Sequence, residues 1–260
     1  MKRLPRSALP ALASHARHRD DGALLGTAAV LIWNDVAPEG RDAFYAWHDK
    51  EHIPERLALP GFLRGRRFAK SGHSPEWLTM YEARDLGALV SPQYLARLNA
   101  PTPATSATLA HFRHTSRAVC RTVHSIGTSS GGHVLALRLG VDALRGDALC
   151  RYLTDDAFPR AMRRTGVLAC HLFATDAPAS YVNTAESSTR TFDVPAWVLL
   201  CEASSSEAAE TAKRDIEGTQ FARLGVEVRN DWAVYALEIS RLARDGCSAG
   251  IGDEREGKPK

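Results

Sequence analysis

The sequence predicts an α+β protein made of two ferredoxin-like repeats, each with the element order β-α-β-β-α-β. Strand-like and helix-like segments follow that order twice along the 260 residues. Landmark residues also recur at constant offsets between the two halves. At an offset of 105 the matches are Ile53 with Phe158, Pro54 with Pro159, Leu57 with Met162, Gly61 with Gly166 and Phe68 with Phe173. At an offset of 120 they are Trp77 with Trp197, Glu82 with Glu202 and Ala83 with Ala203.

Composition alone does not place Pro, Gly and Trp in step, so we infer the duplication of a unit of roughly 100 residues. A ferredoxin-like sheet has helices on one face and must bury the other. Two copies can bury these faces against each other and close an α+β barrel within one chain. The difference between the offsets predicts a longer loop at 176–190 in the second repeat.

The first repeat begins with an apolar strand at 24–33 that ends at the turn residues Asn34 and Asp35. Pro38 suits the start of a helix, and Pro54 removes a backbone donor and kinks or restarts that helix. Strands are predicted at 61–70, 77–83 and 113–126. Between the last two, a helix begins at Ser91 and Pro92, breaks at 101–103 and resumes to about 112.

The second repeat follows a flexible Ser/Gly linker at 128–132. It has a strand at 133–141 and a helix capped by Asp142 that runs to 164. Strands follow at 167–175 and 192–203. Ser204 and Glu207 form a capping-box pattern for a helix to about 224, and a strand at 229–240 closes the unit. The predicted organisation is a disordered tail at 1–22, repeats at 23–127 and 128–244, and a disordered tail at 245–260.

The composition excludes several classes of protein. The net charge is +3, and this excess lies within residues 1–22, so the body offers no basic surface for nucleic acid. No segment is long and apolar enough to span a membrane. The five cysteines are odd in number and form no CxxC pair, which indicates a reducing cytoplasm. The composition does not exclude a small hydrophobic or aromatic ligand, which is the expected partner, or a homodimer.

Chemistry-bearing side chains concentrate at 44–56, where two histidines, two glutamates and large aromatic residues share about three helical turns. His48 and His52 are four residues apart and project from one helix face, together with Glu51 and Glu55. The apolar stripe of Ala43, Ala46, Trp47, Ile53 and Leu57 is expected to pack on the sheet. The alternative to a functional site is therefore a solvated polar face. The second repeat has Leu153 and Ala157 at the histidine positions, so the scaffold does not require imidazoles.

The run Trp47-His48-x-x-Glu51-His52-x-Pro54-Glu55-Arg56, then Pro60-Gly61-Phe62-x-x-x-Arg66-Arg67-Phe68, resembles the EthD-type branch of the dimeric α+β barrel superfamily. Residues 91–102 resemble its second helix. The resemblance covers 25–125 well and 133–240 only as a pattern. It implies a small-molecule pocket between sheet and helices. The superfamily includes polyketide cyclases, muconolactone-type isomerases, quinone-forming monooxygenases and, in duplicated form, haem proteins, so the resemblance implies fold more than reaction.

The leading hypothesis is general acid–base catalysis without a cofactor, by a cyclase, an isomerase or a related oxygenase that acts on an aromatic, lactone or polyketide-like compound. His48 is the candidate base, with Glu51 or Glu55 as its orienting group. Arg67 or Tyr81 is expected to stabilise a developing oxyanion. The predicted catalytic residues are His48, His52 and Glu51, and the predicted substrate-binding residues are Phe44, Tyr45, Trp47, Glu55, Arg67 and Tyr81.

Other interpretations remain open at this point. His48-x-x-Glu51-His52 also spells an H-x-x-E-H zinc motif, although no third ligand stands out. Duplicated barrels of the superfamily can hold haem through a histidine of the second half, where His171 lies within a strand. Arg64, Arg66 and Arg67 form either a solvated or ion-paired strand edge or an anchor for an anion. A non-catalytic binding or assembly module is the alternative to an enzyme.

Overall fold

The computed structural model describes residues 22–140, 145–189, 194–217, 220–224, 227–228 and 232–244. Apart from residue 22, both predicted tails lie outside these ranges. The predicted cap Asp142 and residues 229–231 of the last predicted strand also lie outside them.

The first half contains strands β1 (Ala28–Val36), β2 (Phe62–Ala69), β3 (Trp77–Ala83) and β4 (Phe112–Gly127). Between β1 and β2 lie a 3-10 turn (Pro38–Gly40), helix α1 (Arg41–Trp47), a π-helical turn (His48–His52) and helix α2 (Ile53–Leu57). Between β3 and β4 lie a 3-10 turn (Ala88–Val90) and helices α3 (Pro92–Asn99) and α4 (Pro103–Leu109).

Local sequence explains where α3 and α4 begin. The side chains of Ser91 and Thr102 accept hydrogen bonds from backbone N–H groups in the first turns of these helices. A proline follows each cap, where its fixed φ suits the helix and its missing N–H costs no internal hydrogen bond.

The second half repeats this order with β5 (His133–Gly140), β6 (Val167–Thr175), β7 (Trp197–Ala203), a short β8 (Glu227–Val228) and β9 (Ala233–Leu242). Helix α5 (Gly146–Tyr152), a π-helical turn (Leu153–Ala157) and α6 (Phe158–Ala161) join β5 to β6. The β6–β7 connection carries α7 (Ala177–Ser180) and a 3-10 turn (Ala185–Thr189). Helices α8 (Ser206–Glu217) and α9 (Gln220–Arg223) follow β7. The hydroxyl that accepts from Ala208 N is that of Ser205, one residue after the predicted cap Ser204.

Eight of the strands close an antiparallel barrel in the order β7-β6-β4-β1-β3-β2-β9-β5, and β5 pairs back with β7. The two halves meet along two seams, β4 with β6 and β2 with β9. Each half thus supplies four adjacent strands and places its helices outside the barrel. This arrangement confirms the predicted fold class.

Alternate residues of each strand face the barrel interior or the surrounding helices. The interior core includes Leu31, Met80, Phe173 and Leu200. The outer layer of the first half is built around Val30, Ile53, Tyr81 and Tyr94, among others. Trp33, Trp77 and Trp197 are buried in the core.

Landmarks of the two halves occupy equivalent places. Gly61 and Gly166 both have positive φ, at 87° and 83°, after the helix that precedes β2 or β6. The two π-helical turns are also in step at the offset of 105. Pro54 and Pro159 each follow a π turn and lack the N–H that a regular α-helical turn uses. An origin by duplication remains a prediction.

Charged side chains form a buried network inside the barrel. Arg64 Nε lies 2.7 Å from Glu82, and Arg66 lies 3.2 Å from Glu82 and 2.9 Å from Glu202. His171 Nε2 lies 3.4 Å from Glu202. The interpretation of Arg64 and Arg66 as part of a strand edge is therefore wrong, because β2 lies between β3 and β9 and buries both side chains.

Among the described residues, no helix combines the length and the apolar character needed to cross a bilayer. Cys120, Cys170 and Cys201 are buried free cysteines, and a buried thiol behaves as a small hydrophobic group.

Candidate functional site

The two histidines of the 44–56 segment lie on the buried face of the helix, against the sheet. Phe44, His48, His52 and Arg56 follow one another at intervals of four and are all at least 93% buried. A π turn is wider than an α turn, so residues four apart stay aligned across it. The alternative interpretation, in which the histidines lie on a solvated polar face, is therefore wrong. Of the stripe that was expected to pack on the sheet, Trp47, Ile53 and Leu57 are buried, whereas Ala43 and Ala46 are exposed.

A cavity lies between this helix and the outer face of the first half of the barrel. About 40 Å³ is open to the centres of water-sized spheres, within about 470 Å³ of atom-free space that includes the open mouth. The enclosed part therefore holds about three waters or one small functional group. Its apolar wall is formed by Ile32, Phe44, Trp47, Leu109 and Phe112. Its polar lining is formed by Asn34, His48, His52, Thr79, Thr115, Arg117 and Glu186.

His48 is held between a guanidinium and a phenol. Nη1 of Arg67 lies 3.0 Å from Nδ1 of His48, and Oη of Tyr81 lies 3.4 Å from Nε2. Because a guanidinium only donates, Nδ1 accepts and the ring carries its proton on Nε2, which faces Tyr81. Burial and then the charges of Arg67 and Arg56 lower the pKa of His48 well below its usual value. His48 is thus a neutral ring that donates through Nε2.

His52 lies one turn further on and lines the same cavity. Its ring centroid is 4.2 Å from that of Trp47 and 5.6 Å from that of His48, and the two imidazoles are nearly parallel. Trp47 is itself fixed by a 3.0 Å hydrogen bond from its Nε1 to Thr105. The aromatic wall therefore orients His52 at the cavity surface.

Three predicted substrate-binding residues lie outside the cavity lining and hold the residues that form it. Arg67 is buried, donates to Asp49 and to Glu238, and lies 4.5 Å from the Tyr45 ring centroid. Tyr45 donates to Glu238 at 2.7 Å. The pKa of Tyr81 is raised by burial, so its phenol stays protonated. Arg67, Tyr45 and Tyr81 do not line the cavity; they fix the orientation of residues that do.

The two predicted acidic residues face away from the imidazoles. Thr102 donates its hydroxyl to Glu51, and Glu55 pairs with Arg97 at 2.7 Å and with Arg56 at 3.3 Å. Both carboxylates are therefore committed to other elements. The partners that orient His48 are Arg67 and Tyr81. From the sequence, these two residues were expected to contact the ligand instead.

Five polar residues of the lining were not predicted as site residues from the sequence: Asn34, Thr79, Thr115, Arg117 and Glu186. Glu186 comes from the long loop of the second half and reaches across to the first. It accepts a short hydrogen bond from Arg56, and both side chains are buried. The unusual length of this loop was the one sequence signal that pointed to it.

The equivalent helix of the second half carries no histidine pair. Leu153 and Ala157 replace the histidines and are fully buried in an apolar core. His171, the candidate haem ligand, lies inside the filled barrel with Nδ1 2.9 Å from Ser125 Oγ and Nε2 against Glu202. These residues do not fit a haem, since the imidazole is fully buried in the packed barrel interior and a carboxylate stands 3.4 Å from its Nε2.

The zinc hypothesis also finds no support in the geometry. Within the described ranges no group of three or more His, Cys, Asp or Glu side chains is arranged to hold a metal ion. The guanidinium of Arg67 also occupies Nδ1 of His48, and its positive charge disfavours a dication there.

No family model matches the sequence, and no curated protein matches it. The fold does match solved structures. An anthrone oxidase-like protein superposes with a TM-score of 0.58 at 11% identity, over 88% of this chain and 99% of that one. A mutant chlorite dismutase from Candidatus Nitrospira defluvii gives 0.52 at 12% identity, over 82% and 92%. Together with the closed eight-stranded sheet, these matches assign the chain the dimeric α+β barrel fold, here with both halves in one polypeptide.

Proposed function

We propose that this protein is a cofactor-independent enzyme that acts on an activated aromatic compound at the cavity beside His48 and His52. The observation that carries the proposal is the convergence of two buried imidazoles and an aromatic wall on one cavity. Such sites bind small molecules through apolar walls and a few placed polar groups. We also propose that the first half is related to EthD-type proteins and that the two halves arose by duplication.

The two imidazoles take different roles. The acceptor nitrogen of His48 is occupied by Arg67, so His48 donates a hydrogen bond through Nε2 rather than taking a proton. His52, at the cavity surface, is the base, because imidazole is the side chain whose ordinary pKa suits proton transfer near neutral pH. This reverses the predicted assignment, in which His48 was the base.

The anthrone oxidase-like neighbour suggests the reaction class. In the proposed reaction, His52 removes a proton from a methylene activated by an adjacent aromatic ketone. The resulting carbanion is oxidised by O₂, a C–O bond forms, and loss of water leaves a carbonyl. One substrate and one O₂ give one quinone-type ketone and one water. Cyclisation and isomerisation begin with the same deprotonation, so they share the base.

The test uses anthrone as substrate and follows O₂ uptake together with quinone absorbance. His52→Ala introduces the residue that the second half has at Ala157, so the fold is expected to persist. We expect a loss in kcat of about 10²- to 10⁴-fold. Arg151→Ala, on the exposed face of α5, is the control and keeps the wild-type rate. Full activity in folded His52→Ala, or no O₂ uptake by the wild type, overturns the proposal.

A further inference from the structure

We propose that Arg117 binds an anionic group of the ligand, and that the natural ligand is therefore an aromatic carboxylate, of which anthrone reproduces only the activated aromatic ketone. This inference relies on the proposed function for its site but concerns binding, not the reaction. Arg117 lies on β4 opposite Ile32 of β1, faces the helix layer and lines the cavity. Its side chain is only 4% exposed.

Among the described residues, the guanidinium of Arg117 has no counter-charge. Its Nη2 donates to the hydroxyl of Tyr94 at 3.1 Å, and the group lies 5.8 Å from the Tyr94 ring centroid. Its Nε has no hydrogen-bond partner in the part of the chain that the structure describes. No carboxylate of the described residues lies within ion-pair distance of it. A buried charge in this state is costly unless something compensates it.

Other buried arginines of the chain show what compensation looks like. Arg56 pairs with Glu186, Arg64 with Glu82, and Arg67 with Asp49 and Glu238. The fold thus supplies a carboxylate to each of them. Arg117 differs from these three in facing the cavity, where a ligand carboxylate supplies the missing charge.

The rest of the cavity suits this ligand. Glu186, the carboxylate in the wall, is occupied by Arg56 and so does not compete for Arg117. The enclosed space of about 40 Å³ fits a carboxylate head but not a ring. An attached aromatic ring then lies toward the mouth, where Phe44, Trp47 and Phe112 form the wall.

The experiment measures the binding of benzoate and of its uncharged analogue benzamide to the full chain by isothermal titration calorimetry. We expect the wild type to prefer benzoate. Arg117→Met is expected to weaken benzoate binding about 10- to 100-fold, the value of a charge-assisted hydrogen bond, and to leave benzamide unchanged. Arg121→Met is the control, because Arg121 is on the same strand and face but outside the cavity lining.

Thermal unfolding gives a second measurement, first without ligand and then with benzoate. Removal of an uncompensated buried charge is expected to raise the Tm of Arg117→Met without ligand. Benzoate is expected to raise the Tm of the wild type but not that of the variant. Equal binding of benzoate and benzamide by the wild type, no binding of either, or unchanged benzoate binding in Arg117→Met overturns the inference. Benzoate binding that depends on Arg117 without anthrone oxidation contradicts the proposed reaction alone.

Discussion

Nη1 of Arg67 lies 3.0 Å from Nδ1 of His48, so a fixed positive charge meets the one nitrogen through which this neutral ring accepts a hydrogen bond. Burial and this charge both oppose protonation of His48. The folded-state pKa is therefore below the unfolded value of 6.5, and the unfolded chain binds the proton more tightly. The resulting stabilisation is complete above pH 6.5 and is lost as the pH falls below it.

We expect the free energy of unfolding to fall by up to about 1.4 kcal/mol per pH unit below pH 6.5 because of His48. His48→Asn keeps an acceptor for Arg67 at the δ position but does not titrate. Urea unfolding of both proteins between pH 5 and 8 tests this. A His48→Asn curve with the same slope as the wild type would show that His48 is protonated in the fold.

The ion pair between Arg56 and Glu186 gives a second prediction. Glu186→Gln leaves a buried guanidinium with Glu55 alone, at 3.3 Å. We expect the free energy of unfolding to fall by about 3 kcal/mol. This is near the lower end of the usual cost of breaking a buried ion pair, because Glu55 compensates the charge of Arg56 in part. Chemical denaturation measures it. The exposed Glu210→Gln is the control and should change stability by less than about 0.5 kcal/mol. Equal stability of the two variants would contradict a structural role for the pair.

The barrel-interior network predicts sensitivity to acid. Burial alone raises the pKa of Glu202, but His171, Arg66 and the backbone N–H of Gly131 outweigh it and lower the pKa to about 2. The stabilisation is complete above the ordinary value of 4.5 and is lost as the pH falls toward 2. We expect the free energy of unfolding to fall by about 3 kcal/mol as the pH drops from 4.5 to about 2. Glu202→Gln should be less stable at neutral pH and lack this decline, and a wild-type decline in that variant would assign it to other groups.

Three glycines form a graded test of backbone strain. Gly61 has a φ of +87°, and a Cβ added to it would lie 2.6 Å from the Cβ of Ala88. Gly72 has a φ of +72°, but an added Cβ would meet no atom within 4 Å. Gly132 has neither constraint. We expect the free energy of unfolding to fall by about 2–3 kcal/mol in Gly61→Ala and by about 1 kcal/mol in Gly72→Ala, and to stay nearly unchanged in Gly132→Ala. Thermal denaturation ranks the variants, and an order other than this one would contradict the strain assignment.

The fold was predictable because its signals are local and periodic. Prolines, glycines and tryptophans mark turns and buried strand positions, so their recurrence revealed the repeated element order. The strand boundaries 77–83 and 167–175 were predicted as found. Strand β1 begins at Ala28 instead of 24, since residues 22–27 precede the pairing with β3 and β4.

The site was predictable in its location but not in its roles. A regular α-helix places Glu51 and Glu55 beside the histidines, and only the π turn before Pro54 brings His52 and Arg56 to the buried face. Long-range partners were out of reach for a second reason. Glu186 lies 130 positions from Arg56, and no local pattern links a loop of one half to a helix of the other.

The seams between β4 and β6 and between β2 and β9 join unlike halves inside one polypeptide. Their association is therefore independent of protein concentration, and dilution does not separate them. A covalent pair also allows each half to change without its neighbour changing identically. The first half carries imidazoles where the second half has a packed apolar core, so we expect a ligand titration to saturate at a single equivalent per chain.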